Sequence, residues 1–334
     1  MIAVVERLAA DIVTHERFID EIVRPCRPVV LRGLARDWPV VEAARDPARL
    51  AAYLAGFATR ATSEVFVGDP QIGGRYYYGD DLAGFNFERR VMPFADAVAS
   101  ILTDNDPAVA TMYVGSLPVE AYLPGFSAVN SPPVFATPKA GRIWLGHGSI
   151  VAAHYDTLDN LACVVAGNRR FTVFDPMLIG DLYVGPIDHT MAGQPVSLAA
   201  SAAPGDTRYP RFAAIADRAL VAELGPGDAL YLPKLWWHQV EATAPVNALV
   251  NYWWDAFSAG PDAPYATLLL AMIAIAERPL SERGAWRALF DHYVFRPHGH
   301  PLAHLPAERH GLLGPLHPYN YGRIRARVMQ MLRG

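Results

Sequence analysis

From about residue 110 to Trp254 the chain runs in short apolar stretches, TMYVGSL, RIWLGHG, NLACVVA, RRFTVFDP, DALYLP and NALVNYWW, separated by Gly, Pro, Asp and Asn. Short runs rich in β-branched and aromatic residues, broken by turn formers, predict the strands of a sandwich or barrel. The flanks read differently. Up to about residue 100, helical spacing (ERLAADIVTHERFIDEIV, DPARLAAYLAGFA) surrounds one short strand in PVVLRGL. After Trp254 helical spacing returns to about Phe295, followed by a proline- and histidine-rich stretch and a basic terminal helix. The pattern predicts a mainly β fold in three parts. Residues 1–109 form an N-terminal α/β segment packed on the core, 110–257 the β core, and 258–334 a C-terminal helical region that serves dimerisation.

One segment changes this picture only slightly. The run 265-YATLLLAMIAIA-276 is apolar throughout, but a membrane span needs roughly 18 or more such residues. It predicts a buried or partner-facing helix, opened by Pro264 and closed before Pro279. Glu6 and Asp11 interrupt what would have to be the apolar stretch of an export signal. The expectation is a protein that neither enters nor crosses a membrane.

Composition then removes whole function classes. A chain of 334 residues with 52% hydrophobic content can bury a large core, and its net charge of −4 comes without a basic cluster. Nucleic acid is therefore not an expected partner. Cys26 and Cys163 stand far apart in no metal-binding spacing, which fits a reducing, cytoplasmic setting.

The chemistry concentrates in 149-SIVAAHYDTLDN-160. Side chains alternate along a strand, so His154 and Asp156 point to one face and Tyr155 to the other. A third candidate, His238, follows two tryptophans in 225-GPGDALYLPKLWWHQVEA-242. Two imidazoles and one carboxylate make the facial triad that holds non-haem Fe(II) with positions left open. Taken singly, a histidine beside tryptophans is usually a core residue, and a lone His-x-Asp pair arises by chance.

Several motifs in order lift the pair above chance: AHYD at His154, NLACVVAGNRRFTVFDP, GDALYLPKLWWHQV, VNYWW and, more weakly, RPVVLRGLARDWP. Together they resemble the cupin-like, Jumonji-C group of Fe(II)- and 2-oxoglutarate-dependent oxygenases, over most of the chain. The resemblance implies a double-stranded β-helix, the jelly-roll form of the cupins, with His154, Asp156 and His238 holding iron at its open mouth. It implies 2-oxoglutarate as cosubstrate and hydroxylation of a protein or peptide side chain, and pairing into a homodimer through C-terminal helices.

The same resemblance places a lysine fifteen residues after the first histidine, for the far carboxylate of 2-oxoglutarate; here that residue is Arg169. A guanidinium can meet a carboxylate through two N–H groups, with a different reach. The family's hydroxyl residue three positions before the first histidine is here Val151, which cannot hydrogen-bond, with Ser149 as the nearest substitute. Tyr113 matches a tyrosine that reaches the same carboxylate, and Asn160 and Asn251 match asparagines near the metal and the cosubstrate's other end. The four tryptophans Trp236, Trp237, Trp253 and Trp254 could line a pocket, but strand tryptophans read as core and no catalytic role is assigned to them.

Other features read blandly. His298, His300, His304, His310 and His317 follow no metal-site spacing and suggest a solvated loop, as do His147 and His189. The tyrosines Tyr76, Tyr77 and Tyr78 read as exposed and could border a substrate groove. Two rival functions stay open: a metal-dependent cupin acting on a small molecule without 2-oxoglutarate, and a catalytically silent binding module built on the same groove.

Overall fold

The structure, a computed structural model, describes residues 3–80, 82–103, 110–191, 193–202, 205–258 and 260–333. Met1–Ala256 form one unit and Phe257–Gly334 a second.

Among the described residues of the first unit, thirteen strands join in a jelly-roll organised about one long member, Trp237–Trp254. Its opening half, to Ala242, pairs with Arg169–Phe174. Its closing half, from Ala248, pairs with Asp159–Ala166. Gly141–His154 runs antiparallel along its other edge through both halves. One strand therefore serves both sheets, which closes the double-stranded β-helix. The changeover falls where the register shifts between Ala242 and Val246, around Pro245. A proline has no N–H to give a ladder and is tolerated at such an irregularity.

Strands from the first hundred residues complete both edges. Val29–Arg32 lies antiparallel to Ala229–Leu232, with Glu6–Ala9 parallel beyond it. On the opposite edge Thr62–Gly68 pairs with Thr111–Pro118 and with Phe87–Pro93. The helical spacing over residues 6–23 is thus only half realised: Glu6–Ala9 takes the sheet hydrogen bonds instead, and the helix starts at His15, where the Thr14 hydroxyl accepts from the Arg17 N–H at 3.2 Å. Tertiary pairing overrides local propensity there. The helix Pro47–Ala55 does form, capped by Asp46, and buries Leu50 and Leu54 one turn apart. With Leu31, Phe94, Ile101 and Leu161 they make the main apolar core. Each such side chain withdrawn from water contributes about 1.5–3 kcal/mol.

Two strands carry functional candidates into position through the turn between them. Asp159–Ala166 and Arg169–Phe174 are joined by Gly167 and Asn168 alone. Gly167 has φ +65°, and a Cβ there would lie 2.3 Å from Oδ1 of Asn247. Only glycine suits both demands. Beyond the turn, Arg169, Phe171 and Val173 share the inward face.

Three expectations are corrected by burial. Tyr76 and Tyr78 are not exposed but 4% accessible each, Tyr76 giving a hydrogen bond to Thr111 at 3.1 Å and Tyr78 one to the His189 carbonyl. His147 is not a loop residue: it lies buried within Gly141–His154, where its Nδ1 accepts from the Met112 N–H at 3.0 Å. His189 does lie outside helix and strand, with its ring stacked on Phe85.

The second unit contains the helices Pro264–Ile275, Leu280–Phe290 and Pro318–Leu332. The first is bounded as its prolines predict, yet none of its residues is buried. Asp262 receives the Tyr321 hydroxyl and the Arg325 Nε–H. His300 and His310 stack with centroids 4.4 Å apart and bond backbone carbonyls at Leu313 and Leu305, so they pin the loop instead of gathering a metal. Among the described residues no helix is long and apolar enough to cross a membrane.

Candidate metal centre

His154 closes its strand directly opposite His238, the second residue of Trp237–Trp254. The rings face each other with centroids 4.3 Å apart. Asp156 follows two residues on, and one potential ligand atom from each of the three lies within 4.8 Å of the others. This is the only such group of His, Cys, Asp and Glu among the described residues.

The ring tautomers follow from the backbone. Nδ1 of His154 lies 2.8 Å from the Ala152 carbonyl oxygen, and Nδ1 of His238 lies 3.0 Å from that of Trp236. A carbonyl can only accept, so both Nδ1 atoms carry the proton and both Nε2 atoms present a lone pair. Burial, and then the neighbouring His154, lower the pKa of His238 to about 4, which keeps it neutral and able to ligate near neutral pH.

Asp156 is oriented by a hydrogen-bond chain. Its Oδ2 accepts from Nδ2 of Asn160 at 3.2 Å and from the indole N–H of Trp253 at 3.1 Å. Asn160 in turn accepts from Asn251 at 3.1 Å, and Asn251 accepts from the Trp144 indole at 2.7 Å. Such outer contacts fix a ligand's rotamer and bias its charge.

The three residues line a cavity of about 340 Å³, walled also by Phe66, Tyr76, Trp144, Met191 and Leu249. Arg169 also lines it and is 2% exposed, and its Nε and Nη2 have no hydrogen-bond partner among the described residues. Burial lowers its pKa, opposed by the hydroxyl of Tyr113, to which it hydrogen-bonds. A buried guanidinium without a carboxylate costs free energy that an incoming anion recovers. Val151 also lines this cavity, while Ser149, opposite Ala242 in the row that contains Arg169, has a buried hydroxyl with no partner among the described residues.

The seven residues read from the sequence as metal or cosubstrate contacts, His154, Asp156, His238, Arg169, Tyr113, Asn160 and Asn251, thus all line one cavity. The donor set suits a divalent iron, with two neutral imidazoles and one carboxylate. The guanidinium, whose Nε and Nη2 have no partner among the described residues, suits a carboxylate.

The sequence profile of the cupin-like domain matches residues 15–260. The chain belongs to this cupin-like family. Its relatives include the human bifunctional peptidase and (3S)-lysyl hydroxylase, 28% identical over 273 residues, which span 72% of this chain and 81% of the human one. The Drosophila melanogaster Jumonji C domain-containing protein 5 is 35% identical over 115 residues, 34% of this chain and 27% of the fly protein. An Arabidopsis thaliana lysine-specific demethylase is 30% identical over 110 residues, 31% of this chain and 19% of its own. The fly and plant matches therefore cover less than a third of those proteins.

Within this cupin-like chain the sequence left two contributors unseen. Trp253 and Trp144 are the indoles that begin the hydrogen bonds converging on Asp156, although strand tryptophans read as core. The spacing offered a signal: Asn251 and Trp253 are two apart and so share a face.

Proposed function

We propose that this protein is an Fe(II)- and 2-oxoglutarate-dependent oxygenase that hydroxylates a side chain of a protein or peptide. The observation that carries this reading is the pairing, in one cavity, of the His154, Asp156 and His238 cluster with the buried guanidinium of Arg169, which no carboxylate meets among the described residues. A silent binding module has no need of either, and a metal cupin without 2-oxoglutarate has no need of the second.

Iron bound at this site, together with 2-oxoglutarate and O2, would supply the oxidising power for C–H hydroxylation. The residues of the chain do the rest. His154 and His238 offer Nε2, Asp156 offers a carboxylate oxygen, and the Asn160 and Trp253 donors hold that carboxylate in place. Arg169 and Tyr113 anchor the cosubstrate's far carboxylate. The aromatic wall keeps water from the reacting centre.

A polypeptide substrate is supported by the names of two relatives, a lysyl hydroxylase and a lysine-specific demethylase. It is supported also by a near-neutral charge without the basic patch that a nucleic acid would require. Two free cysteines accord with a cytoplasmic setting. The exposed apolar side chains of Pro264–Ile275, among them Leu268, Leu269 and Ile273, are assigned to a homodimer contact.

The test is anaerobic metal loading followed by turnover. The expected result is one iron per chain, slow conversion of 2-oxoglutarate to succinate without substrate, and a +16 Da shift on a polypeptide from the source cell. Iron bound without succinate formation would favour the small-molecule cupin, and failure to bind iron would favour the binding module. Oxidation confined to free metabolites would remove the polypeptide while leaving the oxygenase.

A further inference from the structure

Beside the cavity, and outside it, lies a charge cluster that the proposed chemistry does not use. Nζ of Lys234 is 2.5 Å from Oδ1 of Asp255 and 3.3 Å from Oδ2 of Asp159. Asp159 is 1% exposed and fully engaged: its Oδ1 accepts the Tyr231 hydroxyl at 3.0 Å and its Oδ2 the Ala256 N–H at 3.1 Å. Half-buried Lys234 is therefore the cation that two carboxylates share.

Its position matters more than its charge. Asp159 immediately precedes Asn160, and Asp255 follows Trp253 by two residues; Asn160 and Trp253 are the two donors that hold Asp156. Lys234 itself stands in the turn that leads into His238. The next residue, Leu235, has a left-handed φ of +69° and gives its N–H to the Asp156 carbonyl oxygen at 2.8 Å. The carbonyl of Trp236 then sets the His238 ring. One ammonium thus joins the three segments that aim two of the three candidate ligands.

We infer that Lys234 is a positioning residue for the metal centre, acting through Asp159 and Asp255 without touching the metal or the cosubstrate. The inference rests on the proposed function, because it presupposes that His154, Asp156 and His238 hold a metal. Outer contacts of metal ligands typically alter affinity by about 10–100-fold when removed, and a lysine bonded to two carboxylates across three segments belongs at the lower end.

The experiment titrates the full-length apoprotein with Co(II), followed by the visible d–d absorption, which reports ligand geometry independently of activity. Lys234→Met is expected to weaken Co(II) binding roughly tenfold and to change the band shape, and Lys234→Arg, which keeps the charge, to recover most of the loss. Wild-type affinity and an unchanged spectrum in Lys234→Met, with only a lower melting temperature, would overturn the inference and leave Lys234 a structural residue. Should Lys234→Met not fold, Asp255→Asn takes its place, since Asp255 is partly exposed and loses only a charge. It is expected to give a smaller loss of the same kind, and wild-type binding there would overturn the inference equally. A wild-type protein that binds no Co(II) would instead overturn the proposed function, and the inference with it.

Discussion

His154 and His238 face each other across adjacent antiparallel strands, each with Nδ1 tied to the carbonyl oxygen two residues before it. Both rings are thereby set for ligation before any metal arrives. His154→Ala, Asp156→Ala and His238→Ala are each expected to abolish tight Fe(II) binding while leaving the far-ultraviolet dichroism of a folded sheet. Anaerobic calorimetry checks this, and full affinity in Asp156→Ala would remove that residue from the ligand set.

Arg169 holds an uncompensated charge inside the cavity. Arg169→Ala is expected to weaken 2-oxoglutarate binding by about 2–5 kcal/mol, the range for truncating one side of a buried charge pair. Arg169→Met removes the same charge but keeps most of the volume. Its apoprotein should melt no lower than wild type, and added 2-oxoglutarate should no longer raise its melting temperature. A ligand-induced shift equal to that of the wild type would reassign Arg169 to structure.

Gly167 controls how Arg169 enters the cavity. Gly167→Ala combines a positive φ with a collision against Asn247 and is expected to cost about 1–3 kcal/mol. Denaturant unfolding measures the loss. 2-Oxoglutarate affinity should fall as well, since the turn sets the start of Arg169–Phe174.

The apolar helix Pro264–Ile275 predicts the oligomeric state. A two-fold contact is self-complementary, so Leu269→Glu would enter it twice. Light scattering at tens of micromolar is expected to give a dimer for the wild type and a monomer for the variant. A wild-type monomer would dispose of the proposal.

Part of the site was legible from strand alternation, which puts Arg169 and Phe171 on one face; His154 instead ends its strand, and Asp156 lies two residues beyond it. What escaped the sequence depends on distant pairing. Gly146, Gly148 and Pro245 break the apolar pattern, so Gly141–His154 and Trp237–Trp254 read as fragments instead of two long strands. The burial of Tyr76 comes from packing against Phe87 and Tyr113, which no local window contains. Lys234 reads as an ordinary turn lysine until Asp159 and Asp255 are brought beside it.

The pairing of early strands with late ones has a consequence for synthesis. Ala3–Val4 lies against Leu220–Leu224 and Val29–Arg32 against Ala229–Leu232, partners separated by roughly two hundred residues of chain. The early strands are synthesised well before their partners and must wait for them before their sheet edge is covered. Loop closure of that span is entropically costly and slows folding, and the apolar strand Val-Val-Leu stays open to wrong partners meanwhile. Growth at lower temperature, or with raised chaperone levels, is expected to raise the yield of folded protein.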